Sequence, residues 1–191
     1  MLLTVLGTAC AGPTVIDTDD RVASPASPPA SPAPSTRPSN AHLANAFDFA
    51  VPVEAEPGVG TAYAFTSPSG RWQCVIVPRT SASCGKATGT STAIGVTGAP
   101  DEVPDADGDL TAPTTILVDR SGDPRFAALP ASTIDDPPEL PFDRILAVAG
   151  FRCNVQEATG ISCLSELSGK GFTFSADGFT TVYTDVPADA P

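Results

Sequence analysis

Five cysteines, one histidine and a short acidic run are the residues of this chain whose types and spacing could do chemistry. Cys74 and Cys84 are ten positions apart, Cys153 and Cys163 are also ten apart, and Cys10 stands alone near the N-terminus. In the acidic run, Asp101 and Glu102 are followed by Asp105, Asp107 and Asp109. Alternate carboxylates are how a calcium loop begins, because a hard cation wants several oxygens from one turn. With Asp105 in first place, however, Leu110 stands where such a loop requires Gly and Ile116 where it requires Glu. Residues 101–109 therefore read as a solvated acidic loop, with a looser calcium site as the alternative. No metal or other cofactor is expected.

Nucleophilic catalysis finds little to work with. A Ser-His-Asp or Cys-His site needs a His beside its nucleophile, and the one His, His42, falls at the end of a Pro-rich stretch. No G-x-S-x-G elbow or H-E-x-x-H pair occurs. Gly95 to Gly98 lacks the Lys and Ser/Thr of a phosphate-binding loop. The cysteines lack the C-x2-4-C spacing of a zinc site. Lys86 and Lys170 sit beside glycines, in stretches that read as exposed turns, where a solvated ammonium is a poor general base. Plentiful Asp and Glu leave open a carboxylate-based hydrolase acting on envelope polymers. The favoured class is non-catalytic: a module that binds an envelope or extracellular ligand.

The elements that must position these residues read as strands. Trp72, Cys74 and Ile76 share one face of a strand, as do Phe151, Cys153 and Val155. Tyr63 and Phe65 alternate with Ala62, Ala64 and Thr66, and Phe172 and Phe174 with Thr173 and Ser175. Ile116-Leu-Val118 is a short apolar run between turn formers. Asp177-Gly178 reads as a hairpin turn whose residues both tolerate positive φ. Arg144 to Ala149 could instead be a short helical turn. The fold class is thus all-β: a small antiparallel sheet or barrel-like domain.

Aligning the two cysteine pairs sets Trp72 over Phe151, Ile76 over Val155, Thr80 over Thr159 and Ser83 over Ser162, a faint internal duplication. Nine intervening residues place two cysteines opposite each other on a hairpin with a loop of three or five, and Gly160 supplies positive φ where such a loop needs it. Two disulfide-closed hairpins, Cys74–Cys84 and Cys153–Cys163, follow. The loop-entropy model assigns about 2.8 kcal/mol to each such ring and about 4.5 kcal/mol to a crossed Cys74–Cys153 ring, so energy does not choose between them and locality does.

Lys and Arg total 10 and Asp and Glu 22 among 191 residues, a formal net charge of −12. So acidic a chain repels phosphate backbones, which argues against nucleic acid as a partner, and it does not dock electrostatically on anionic lipid. No stretch approaches the roughly 18 apolar residues of a membrane-spanning helix. Residues Ala23 to Ser39 are Ala, Ser and Pro apart from Thr36 and Arg37. Such a segment cannot bury enough apolar surface to offset its ordering entropy. In polyproline II, at about 3.1 Å per residue, it reaches on the order of 50 Å. Ser and Thr among prolines also allow O-glycosylation. No Asn-x-Ser/Thr sequon occurs.

The largely apolar Met1 to Leu6, then Gly7-Thr-Ala9 and Cys10, form the back half of a secretory signal. They resemble the lipobox of bacterial lipoproteins, which implies lipidation on the sulfur of Cys10. No basic residue precedes Cys10 and the apolar run is short, so the true start is expected upstream of Met1. The organisation expected is a partial signal peptide at 1–9, a lipidated Cys and disordered linker at 10–45, a disulfide-stapled β domain at 46–186 and a tail at 187–191. The chain is expected to be exported and lipid-anchored through Cys10, facing the cell-wall or periplasmic side, with an envelope protein or glycan as partner.

Within the domain, Phe65-Thr-Ser-Pro-Ser-Gly70 followed by Cys74 resembles the opening of a small domain found in exported proteins and lipoproteins of actinobacteria. Leu140-Pro-Phe, Gly150-Phe-Arg-Cys153, Gly160-Ile-Ser-Cys163 and Gly169-Lys-Gly-Phe-Thr-Phe174 resemble its close. The likeness runs from Phe65 to Tyr183. Asp143 stands where that pattern has Gly, and Arg71-Trp72 where it has Asn-Ile. The resemblance implies an architecture and a location but no activity.

Overall fold

The computed structural model describes residues 38–53, 60–87, 93–130 and 134–191. The signal-like residues, Cys10 and the Ala/Ser/Pro stretch as far as residue 37 lie outside the described residues. Alternating apolar residues bounded by Gly, Pro, Asp and Ser form strands throughout. They are β1 (Ala50–Pro52), β2 (Thr61–Thr66), β3 (Trp72–Val77), β4 (Ser81–Lys86), β5 (Val103–Pro104), β6 (Leu110–Thr111), β7 (Thr115–Asp119), β8 (Arg125–Ala127), β9 (Ile145–Val148), β10 (Phe151–Gln156), β11 (Gly160–Ser165), β12 (Gly171–Phe174) and β13 (Phe179–Thr180). A 3-10 turn, Ala46–Phe49, precedes β1 and is capped by the Asn45 side chain, which accepts the Phe47 N–H. The fold is all-β, with no α-helix among the described residues.

The strands lie in two antiparallel sheets and a small β5–β6 hairpin. The first sheet runs β1-β2-β3-β4-β7-β8 and the second β13-β12-β11-β10-β9. Strand for strand, β2-β3-β4-β7-β8 of one repeats as β9-β10-β11-β12-β13 of the other. The register repeats too. Phe65, Cys74, Cys84, Ile116 and Phe126 form one cross-strand row, and Leu146, Cys153, Cys163 and Phe172 form its counterpart. The duplication in the sequence is therefore a duplication of topology. Both predicted disulfides are present, and in each the Cα atoms are 4.1 Å apart. That spacing belongs to the narrow, non-hydrogen-bonded pairs of an antiparallel ladder, where opposed side chains lie closest.

The two rows face each other and build the core. Cys84 Sγ touches Cys163 Sγ across the sheets at 3.8 Å. Trp72 meets Phe174 edge to face at 5.0 Å, and Phe126 of β8 meets Phe179 of β13 at 4.7 Å. Such pairings let the positive ring edge meet the negative face.

Three local expectations change. Arg144 to Ala149 is a strand and its turn, not a helical turn. Ala149 (φ 55) and Gly150 (φ 90) both take the left-handed conformation, and a two-residue hairpin loop of that kind sends β9 back along β10. The Asp177-Gly178 hairpin forms, with Ser175 N–H donating to the Gly178 carbonyl, but no residue of that turn has positive φ. Lys86 ends strand β4 opposite Trp72 and is not in a turn.

Polar residues on the outer face of the second sheet are buried, not solvated. Asn154 and Ser162 are wholly covered, and Arg152, Gln156 and Thr173 nearly so. The cover is chain from both ends of the described domain. Asn154 Nδ2 donates to the Tyr183 hydroxyl and the Thr184 carbonyl, at 3.0 and 2.9 Å, and Gln156 Nε2 donates to the Thr184 carbonyl. Burial pushes the Tyr183 phenol well above its ordinary range, so it keeps its proton and donates to Asp185 Oδ1 at 3.0 Å. The buried Arg152 donates to the Ser39 carbonyl, to Asn40 Oδ1 and to Glu166. Ile145 N–H donates to the His42 carbonyl, and Ser39 N–H to Asp185. Residues 39–45, expected as the end of the linker, are thus strapped to the β domain ahead of the expected start at Ala46. His42 belongs to that strap, with its Nε2 covered and unpartnered.

Non-reducing peptide mapping should recover Cys74 linked to Cys84 and Cys153 linked to Cys163. Replacing either pair by Ala should lower the unfolding free energy by roughly 2–5 kcal/mol, measured by denaturant titration. A peptide joining Cys74 to Cys153 or Cys163 would contradict the hairpin pairing.

Candidate functional site

The loops at one end of the sandwich border a half-open pocket of about 350 Å³, lined by Arg79, Arg120, Ala149, Gly150, Phe151 and Leu167, of which Arg79, Arg120, Gly150 and Leu167 are exposed. Apart from Phe151, which opens β10, the lining residues come from turns and loops between strands. Arg79 is the middle residue of the three-residue β3–β4 loop, in the left-handed conformation at φ 59. A non-glycine residue holds that conformation only when its surroundings over-determine it. Here Arg79 N–H donates to the Ala149 carbonyl at 3.1 Å, so the β3–β4 and β9–β10 turns brace each other. Arg120 follows β7. Its N–H donates to the Thr80 carbonyl at 3.0 Å, and its carbonyl accepts the Ser165 hydroxyl at 2.7 Å. Leu167, from the β11–β12 turn, is largely exposed, while Phe151 forms the buried floor.

The turn that carries Arg120 is held by Asp119. Its Oδ2 accepts Arg125 Nη1 at 2.7 Å, and its Oδ1 accepts the Ser121 and Gly122 N–H groups. The Arg125 hydrogen bond first, and the Gly122 N–H next, hold this carboxyl below its ordinary value of 3.8. Arg125 and Asp119 are thus committed to each other, and Lys170 to Asp123 at 2.8 Å. The guanidinium groups of Arg79 and Arg120 have no ion-pair or hydrogen-bond partner among the described residues. The lining contains no carboxylate and no imidazole.

The residues singled out in the sequence lie elsewhere. Cys74, Cys84, Cys153 and Cys163 are oxidised in the core, so none presents a thiolate. Cys10 lies outside the described residues. In the acidic loop, Asp105 Oδ1 accepts the N–H groups of Asp107 and Asp109, both at 3.0 Å, which closes the β5–β6 hairpin. Among the described residues no group of three His, Cys, Asp or Glu side chains is placed to hold a metal ion. Lys170 is exposed and paired with Asp123. Sequence reasoning missed Arg79 and Arg120 because nothing in the chain marks two arginines 41 positions apart as neighbours. Their proximity is set by the β3–β4–β7 register, with Ser81 opposite Asp119.

Asp119→Asn should destabilise the protein at neutral pH. A carboxyl whose folded-state pKa is depressed contributes stability above its unfolded value, and that contribution is lost as pH falls through the folded value. The gap in thermal midpoint between wild type and variant should therefore be open at pH 7, narrow below about pH 4 and close at lower pH. A gap independent of pH would contradict this role for the carboxylate.

Comparison with family models, with curated proteins and with solved structures finds no match, and the geometry of this end of the sandwich is what speaks to function.

Proposed function

We propose that this protein is an exported, lipid-anchored module of the cell envelope that works by binding a ligand and not by turnover. The observation that carries the reading is the chemistry of the loop-end cavity. It offers unpaired cations and apolar surface, but no nucleophile, base or acid pair. A pocket that orients a ligand needs only a few convergent polar groups, whereas hydrolysis of a glycan needs two carboxylates across the scissile bond. The two disulfides fit an oxidising compartment. The small residues ahead of Cys10 supply the anchor, and the Ala/Ser/Pro stretch supplies a spacer that holds the β domain off the bilayer. The resemblance to the small domain of actinobacterial exported proteins supports the same location. The partners proposed are the membrane, through lipid on Cys10, and an envelope protein or glycan.

In a host that exports and lipidates the full precursor, wild type should partition into the detergent phase and Cys10→Ala into the aqueous phase. Identical partitioning would remove the anchor from this account. Incubated with cell-wall fragments and peptides, the full chain should release no new products while retaining one envelope component on a column. Turnover that vanishes on replacing a single Asp or Glu would overturn the binding reading in favour of a hydrolase.

A further inference from the structure

On the binding reading proposed above, the loop-end cavity is where selectivity should reside, and its chemistry is specific. We propose that it takes a small oxyanion: a ligand bearing a phosphate or carboxylate group, gripped between Arg79 and Arg120, with an apolar part resting on Leu167 and Ala149. Charge is the first ground. The chain carries a net −12, and cations are scarce, with 10 Lys and Arg in all. Among the described residues, Arg125, Arg152 and Lys170 are spent on ion pairs, and Arg71 lies 4.9 Å over the Trp72 ring. Arg79 and Arg120 have no such partner, and neither do Lys86 and Arg144, but of these four only Arg79 and Arg120 line the pocket. Two arginines that border one pocket without a counter-charge give it a positive rim, which an anion bound there neutralises. The planar fork of each matches the paired oxygens of a carboxylate or phosphate.

Backbone is the second ground. Three left-handed residues, Arg79, Ala149 and Gly150, converge at the rim, and two of them carry a side chain. They are fixed by Arg79 N–H on the Ala149 carbonyl and by Glu166 N–H on the Gly150 carbonyl, at 3.1 and 3.0 Å. Ala149 and Gly150 take that conformation as the two-residue β9–β10 turn and Arg79 as the centre of the β3–β4 loop, so hairpin geometry fixes where the backbone of Arg79 stands beside the pocket. Leu167 is the third ground. It is a large apolar side chain 63% exposed beside the pocket, a surface that the apolar part of a ligand would cover. A volume of about 350 Å³ suits a small molecule. The net charge of −12 on the whole chain disfavours polyanions at long range, and this points to a small anion over a charged polymer.

The test is titration of the full chain, by calorimetry or by backbone chemical shifts, with phenyl phosphate, benzoate, inorganic phosphate and neutral benzyl alcohol. Saturable binding of phenyl phosphate or benzoate is expected, with benzyl alcohol silent and inorganic phosphate weaker for want of the apolar part. Whichever of the two aromatic anions binds tighter identifies the head group. Arg79→Gln and Arg120→Gln should each weaken binding roughly ten- to a hundred-fold, whereas Arg71→Gln should leave it unchanged. An unaltered thermal midpoint in each variant assigns the loss to the site and not to unfolding. The oxyanion proposal is overturned if neither aromatic anion binds wild type, or if Arg79→Gln and Arg120→Gln bind as wild type does. An envelope component retained equally by wild type and by the double variant would overturn it while leaving the binding reading intact.

Discussion

At the centre of the molecule sulfur lies against sulfur, with Cys84 Sγ 3.8 Å from Cys163 Sγ. Each cysteine belongs to a disulfide that ties two opposed strand residues within its own sheet, so the contact joins two pre-braced hairpins. The constraint reaches every neighbouring side chain. A register slip of one residue in a strand pair turns its apolar face outward, and a covalent bridge at Cys74–Cys84 or Cys153–Cys163 forbids the slip. With those pairs locked, Trp72 and Ile76 in one sheet, and Phe151 and Val155 in the other, have no choice of face, and all are buried in the shared core. A bridge also confines the unfolded chain, which suits a domain of modest core size.

Each half is braced in the same way, and apart from the extra edge strand β1 and the cover over the second sheet, the differences between them lie in the connections. Five residues, 166–170, join β11 to β12, whereas the equivalent link from β4 to β7 spans 87–114 and includes the β5–β6 hairpin. The β3–β4 loop places its left-handed residue at Arg79, and the β10–β11 loop uses Gly160, at φ 91, just past its turn. Gly160 packs so closely on the Phe174 carbonyl that a Cβ has no room there. Arg79, by contrast, carries a full side chain out to the cavity. Loops on a rigid scaffold are where binding surfaces are built, and here the scaffold brings four turns to one end.

Much of the fold was legible in the residues, for physical reasons. Period-two apolar spacing and equal cysteine spacing both report a hairpin directly, so β3–β4 and β10–β11 with their bridges could be read without coordinates. Period two could not show that Arg152, Asn154 and Gln156, which alternate with the core residues, would be covered as well. Their burial depends on chain from both ends of the domain folding over the second sheet, a long-range event with no local signature. For the same reason residues 39–45 read as linker, although Arg152 binds Ser39 and Asn40, and Ile145 binds His42 and Ala44. The β9 strand was ambiguous because Ile-Leu-Ala-Val suits either element, and its partner β10 decides. The arginine site was the least legible. It is assembled from four separate turns, and only register brings them together.

Long-wavelength anomalous diffraction from crystals of the oxidised protein would test the sulfur-centred arrangement most directly. The account predicts four cysteine sulfurs in one cluster: two bonded pairs, Cys74–Cys84 and Cys153–Cys163, with Cys84 and Cys163 in contact at about the 3.8 Å seen here. Two disulfide peaks well separated in the molecule, or a single bridge running between the sheets, would contradict it.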